Sequence, residues 1–307
     1  MSKFYTIFEQ VVHSLLKEGG NAIAGVDRVK KDVIFKTVDA FKEEILEKLF
    51  GFSPSADDVF LLGSTGKKEE SGDIDIGIDI NSLKDKNVLE NLVKLNELCA
   101  RNGYVSCINS ITYRMLHIAY PQVGEKDKKV QIDVLFTENP DFTKFYMSSP
   151  AENESRYKGA HRNALLNAIL YVETFKLLEK DGNGDVVRWK QLECNDEGLC
   201  YVTKTLLDEN GERLYYKDTA ELLEPAYAKT SMKMLVSAIP EYIVKFIVGK
   251  EFKLNDVDTF EKLFSIVSND DKFKYKEKKV DILKKCAKDL KLAEKRLEFP
   301  EELSSFL

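Results

Sequence analysis

The run DIDIGIDI over residues 73–80 constrains this chain more than any other segment. Ile occupies positions 74, 76, 78 and 80, and Asp73, Asp75, Gly77 and Asp79 alternate with them. A period of two is that of a β-strand, whose successive side chains point to opposite faces. Four isoleucines therefore enter a core while three carboxylates line the other face. A helix would spread both sets around its axis, so the segment demands a sheet with one acidic face.

Upstream, Val29, Val33, Ile34, Val38, Phe41, Ile45 and Leu49 repeat at helical spacing, with Asp27 to cap the start and Gly51 beyond the end. That predicts a helix over 27–50. DVFLL (58–62) reads as a short strand, 86–101 as a helix, and 104–109, 112–120 and 129–137 as the strands of a meander. In the last strand Val130, Ile132, Val134 and Phe136 share one face, while Asp133 takes the other beside Gln131 and Leu135. From about residue 150 a polar start leads into a long helix. Residues 183–217, punctuated by NDEG and DENG, read as a β-hairpin insertion, and 219–298 as mostly helical with breaks at Pro225, Pro240 and Gly249. The expected fold class is α+β. A small mixed β-sheet domain spans 27–149, and a mostly helical domain carrying the insertion spans 150–307. Residues 1–26 precede them, with an amphipathic helix ending at Gly19-Gly20.

Composition narrows the partners. A net charge of -6 argues against coating nucleic acid by overall charge, although a local basic groove stays open. Residues 272–296 hold eleven Lys or Arg against four Asp or Glu. They read either as a nucleic-acid contact stripe or as the wet face of an amphipathic helix backed by Ile282, Leu283, Leu290 and Leu297. No stretch of about 18 apolar residues predicts a membrane span, and the first residues lack the pattern of a signal peptide. The expected location is the cytoplasm. The five cysteines, including Cys194 and Cys200 about a turn, read as reduced thiols rather than a zinc site.

The chemistry gathers around LLGSTGKKEESGDIDIGIDI. Gly63 lets the backbone approach a phosphate, and Ser64 and Thr65 offer hydroxyl and amide donors. A short helix starting there would add its dipole. Asp73 and Asp75 stand roughly 6.6 Å apart on one face, close enough to share two divalent ions. Asp79, about 13 Å along the strand from Asp75, is too distant to join them. Asp133 completes a set of three if its strand lies beside 73–80. Three carboxylates beside a phosphate-binding turn fit two-metal phosphoryl transfer, with Mg²⁺ or Mn²⁺ suited to the oxygen ligands. Gly66-Lys67 is not a P-loop, because that motif would need Gly at 61 and Ser or Thr at 68, where this chain has Leu61 and Lys68. Lys67 and Lys68 either meet incoming phosphates or pair with Glu69 and Glu70.

The order of apolar strand, Gly63-Ser64, about ten residues, Asp73-x-Asp75 and Asp133 on a later strand resembles the nucleotidyltransferase superfamily. That superfamily includes DNA polymerase β, the poly(A) and CCA-adding polymerases, and the cGAS- and oligoadenylate-synthase-like enzymes. The resemblance covers about residues 27–137. It implies that Asp73 and Asp75 bind two metal ions, that Asp133 shares them and assists the nucleophile, and that an NTP such as ATP is the substrate. The acceptor hydroxyl is then an RNA 3′ end or another nucleotide, with a protein or small molecule as further options. It also implies triphosphate contacts from the helix after the sheet, for which Lys158 and Arg162 are candidates beside Gly63, Ser64 and Thr65. The same two residues read equally as a solvated basic helix start. His161 is expected at the surface, and Tyr157 is a candidate to stack on the base. The alternative function is a catalytically degenerate member of the same fold that binds nucleotides or proteins.

Overall fold

The computed structural model describes residues 22–109, 114–151, 153–173, 177–180, 186–206, 228–294 and 297–307. The chain divides into two compact units, one closing at Gly159 and the other opening at Ala160. The helix expected to end at Gly19-Gly20 lies outside the described residues, as do residues 181–185 and 207–227 of the expected insertion and its surroundings.

In the first unit, β1 (Val29–Lys30) precedes α1 (Lys31–Phe41), which runs through a π-helical turn (Lys42–Leu46) into α2 (Glu47–Phe50). Then come β2 (Val59–Leu61), β3 (Glu70–Ser71), β4 (Asp73–Asp79), α3 (Val88–Arg101), β5 (Val105–Ile108), β6 (Met115–Pro121), β7 (Lys129–Thr137) and α4 (Pro140–Tyr146). The helix expected from residue 27 thus starts four residues later, because Val29 and Lys30 pair as a strand with Ser71 and Glu70.

The main sheet has the order β2-β4-β7-β6-β5. Only β4 and β7 run parallel; the other neighbours are antiparallel. The mixed sheet follows from the chain path, since the parallel pair needs a long crossover and α3, β5 and β6 supply it. Ile74, Ile76, Ile78 and Ile80 join Ile132, Val134 and Phe136 in one buried cluster with Ile34, Phe41, Leu92 and Leu95 from the helices. Burying each such side chain contributes about 1.5–3 kcal/mol. That driving force fixes the register, because a slip by one residue would carry the aspartates into the core. The opposite face carries the aspartates and a smaller apolar patch. There Phe60, Leu62 and Leu135 form a small cluster, and the Phe60 ring lies across Gly77 so closely that a Cβ would strike it.

The π-helical turn brings Glu44 to the sheet edge, where its carboxylate accepts hydrogen bonds from the hydroxyls of Tyr104 and Tyr120 at 2.7 Å each. Burial first, and then this carboxylate, pushes the Tyr104 phenol up to about 12 and raises Tyr120 as well.

The second unit contains α5 (Gly159–Glu173), β8 (Leu177–Lys180), β9 (Val186–Asn195), β10 (Gly198–Leu206), β11 (Ala228–Ser237), α6 (Pro240–Ile247), α7 (Phe260–Asn269) and α8 (Lys279–Leu292). The strands form one antiparallel sheet in the order β11-β10-β9-β8. NDEG closes the β9–β10 hairpin as expected, with Asn195 opposite Gly198. The β region, however, begins before 183 and takes in β11, a stretch expected to be helical. Lys, Met and Ala favour helices, but pairing along β10 from Leu199↔Ser237 to Leu206↔Ala228 overrides that preference. No helix among the described residues is long and apolar enough to cross a membrane.

Candidate metal centre

Parity and register together build the site. Asp73 and Asp75 share a face of β4, and in the parallel β4–β7 pair Asp75 lies opposite Asp133. Neighbouring strands run about 4.8 Å apart. The result is that Asp73, Asp75 and Asp133 each offer a carboxylate oxygen within 4.8 Å of the others, the one such group among the described residues. Asp133 is 8 % exposed. Carboxylates this close repel one another, and a cation between them relieves the repulsion; the all-oxygen donor set suits a hard divalent ion. Asp79 is engaged elsewhere: its Oδ1 accepts from the Asn81 backbone N–H and side-chain amide at 2.9 Å each.

The Gly63-Ser64 turn is fastened to this centre. Leu62 N–H donates to the Asp75 carbonyl (2.9 Å), and Asp75 N–H donates to Thr65 Oγ1 (2.8 Å). Gly63 has φ +57°, in the left-handed region, and a Cβ there would overlap Asp75 Oδ2. Glycine is thus required twice, by conformation and by space. The segment after α4 holds the turn from the other side. Gly63 N–H donates to the Met147 carbonyl (3.0 Å), and Ser149 N–H donates to the Gly63 carbonyl (3.2 Å). Lys67 Nζ adds bonds to the Ser149 carbonyl (2.6 Å) and Ser148 Oγ (3.3 Å). So Lys67 supports the turn through that segment. The short helix expected at the turn does not form. Two successive reverse turns take its place, Thr65 N–H to Leu62 and Lys67 N–H to Ser64, because Gly63 and Gly66 both adopt positive φ. Thr65 is 4 % exposed and braces β4, whereas Ser64 is half-buried on the turn.

Behind the acids lies a support that sequence reasoning missed. Gln131, fully buried, donates from Nε2 to both Asp133 oxygens (2.8 and 3.1 Å), while its Oε1 accepts from the N–H groups of Ala22 and Ile23. His117 stands opposite Asp133 across the β6–β7 pair, with Nδ1 2.8 Å from Oδ1. An ionised carboxylate only accepts, so Nδ1 carries the hydrogen, and Asn109 Nδ2 lies 3.4 Å from Nε2. Such partners orient a metal-binding carboxylate. Gln131 shows a faint signal in the sequence, a polar residue at the parity of Asp133. His117 shows none, since only the register reveals it.

The remaining candidates are Tyr157, Lys158, His161 and Arg162. Lys158 is exposed and precedes α5 rather than sharing a helix face with Arg162. Arg162 is 1 % exposed; its guanidinium donates to the Asp258 carbonyl (3.2 Å) and to Asn163 Oδ1 (3.0 and 3.2 Å). Nor is it a solvated helix start. His161, expected at the surface, is 2 % exposed and its Nε2 donates to the Glu298 carbonyl at 2.8 Å. Tyr157 is likewise buried, at 2 %.

No family model matches the sequence, and no curated protein matches it. Among solved structures the chain is similar to Leishmania infantum polymerase β, described as a ternary P/T complex, at 9 % identity and a TM-score of 0.38. The similarity covers 65 % of this chain and 63 % of that one, so just under two thirds of the polymerase has a counterpart here.

Proposed function

We propose that this protein is a metal-dependent nucleotidyltransferase, transferring NMP from an NTP to an acceptor hydroxyl on an RNA 3′ end or another nucleotide. The observation that carries the reading is the meeting of Asp73, Asp75 and Asp133 from two adjacent strands, beside a turn whose glycine is pressed against Asp75. Asp73, Asp75 and Asp133 would hold two Mg²⁺ or Mn²⁺ ions, which supply charge neutralisation on the phosphates and a more acidic acceptor hydroxyl. The Ser64 hydroxyl binds the outer phosphates and helps fix the α-phosphorus in line with the acceptor. The acceptor oxygen then forms a bond to that phosphorus as the bond to the β-phosphate oxygen breaks. Pyrophosphate leaves, and Asp133 receives the acceptor's proton. Gln131 and His117 hold Asp133 in position for that role. Lys158, exposed before α5, is a candidate for the leaving phosphates; Arg162 acts through the packing of its own unit.

The test is to incubate the protein with labelled NTPs, Mg²⁺ or Mn²⁺ and mixed cellular RNA, in parallel with a D73A/D75A variant. Label incorporated by the wild type and lost in the variant supports the reading, and its destination identifies the acceptor. Product formed undiminished by the variant refutes it.

A further inference from the structure

The second unit carries a charge pattern that nucleotidyl transfer does not explain. The chain as a whole has a net charge of -6, yet residues 272–296 are strongly basic. In α8, Ile282, Leu283, Cys286, Ala287 and Leu290 are buried, which turns Lys284, Lys288 and Lys291 outward with one acid, Asp281, among them, while Lys279, in line with the buried stripe, donates to the Ser268 carbonyl. A helix whose exposed side served only to be wet could mix Glu and Lys four apart and gain from the pairs. Here the pairs Lys285–Asp289 and Lys291–Glu294 form, but no carboxylate among the described residues pairs with Lys276, Lys284 or Lys288. Three ammonium groups are thus held without anions on a protein rich in them.

We propose that the lysine face of α8, together with Lys276 just ahead of it, binds the phosphodiester backbone of a nucleic acid without regard to sequence. Lys284 to Lys291 spans about 10 Å of helix. At one phosphate per ~3.4 Å of strand, that length faces about three phosphates. The cations are all lysines, point charges without the planar fork that reads guanine edges, so the contacts position a backbone rather than specify bases. A membrane surface fits less well. A helix lying on lipid needs a continuous apolar face to insert, and the apolar face of α8 is already buried in its own unit.

The binding is measured by fluorescence anisotropy with a 20-nucleotide single-stranded RNA and the same DNA sequence, without nucleotide or metal, from 50 to 200 mM salt. The wild type should bind both alike, with affinity falling steeply with salt. In K276Q/K284Q/K288Q the slope of log K against log salt should be shallower by about 2, at ~0.7 per phosphate contact. Over that fourfold salt range the variant should lose about 20-fold less affinity than the wild type. The K276R/K284R/K288R variant should restore binding, and circular dichroism should show all three proteins equally folded. The proposal is overturned if the wild type binds neither probe, if the Gln variant keeps the wild-type slope, or if phosphatidylserine vesicles bind more tightly than either oligonucleotide. Because no NTP is present, failure here leaves the nucleotidyltransferase reading intact; conversely, an inert enzyme that still binds RNA refutes that reading and not this one.

Discussion

Gly63→Ala is the substitution that most directly tests how the turn and the acids are joined. Two costs are expected, and the structure separates them. The first is conformational, since an alanine at φ +57° sits in the left-handed region at about 1–2 kcal/mol. The second is steric: the new methyl overlaps Asp75 Oδ2 and lies 3.2 Å from its Cγ, so the carboxylate must retreat by about 1 Å to reach ordinary contact. Displacement on that scale costs about 100-fold where geometry is critical. Gly103→Ala isolates the first cost, because Gly103 has φ +80° with nothing within 4 Å of its would-be Cβ. Both variants should lose roughly 2–8 °C in Tm, at ~2–4 °C per kcal/mol for chains of this size. Only Gly63→Ala should also lose Mn²⁺ affinity, by about 100-fold, measured by titration calorimetry. Equal Mn²⁺ affinity in two folded variants would show that the carboxylates do not form the metal centre, or that Asp75 takes no part in it.

Gln131→Leu removes the one amide donor that bonds both Asp133 oxygens and should weaken Mn²⁺ binding about 10–100-fold, whereas Asp79→Asn should leave that affinity within twofold; a matching loss in both would argue against a site confined to three acids. The Tyr104 phenol is raised, so the stability it contributes is full below its ordinary value of about 10 and lost as pH rises toward 12. Urea unfolding across pH 9–12 should therefore fall less steeply in Tyr104→Phe than in the wild type, and parallel curves would dispose of the idea. Burial pushes the Cys99 and Cys194 thiols up to about 12 and raises Cys286, while Cys107 is exposed. Iodoacetamide at pH 8 should label Cys107 first in the native protein, and mass spectrometry showing Cys99 labelled as fast would contradict the packing.

The strand at 73–79 was legible because one face is all isoleucine and the other polar, a pattern only a sheet satisfies. Asp133 was legible for the same reason, lying between Ile132 and Val134 as Asp75 lies between Ile74 and Ile76. What stayed hidden depends on contacts distant in the chain. His117 meets Asp133 only through the β6–β7 register, and His161 is buried by a carbonyl 137 residues away. Arg162 looked like a surface cation because its burying partner, the Asp258 carbonyl, is a backbone group that any residue could provide. At β11 local propensity pointed to helix, and cross-strand pairing decided otherwise. At 63–66 the reverse held: two glycines free to take positive φ replaced an expected helix with turns.

The parallel pairing of β4 with β7 also sets an order of assembly. Asp73 and Asp75 are synthesised well before Asp133, and the residues between them must fold into α3, β5 and β6 before the two strands can meet. Closing so long a loop is entropically costly and slow relative to local hairpins. The Met147–Ser149 segment that pins Gly63 comes later still. During translation, therefore, no partial product ending before residue 149 can hold the acids and the turn in their final relation. The three acids and the turn that faces them thus become a single unit only once the Met147–Ser149 segment is in place.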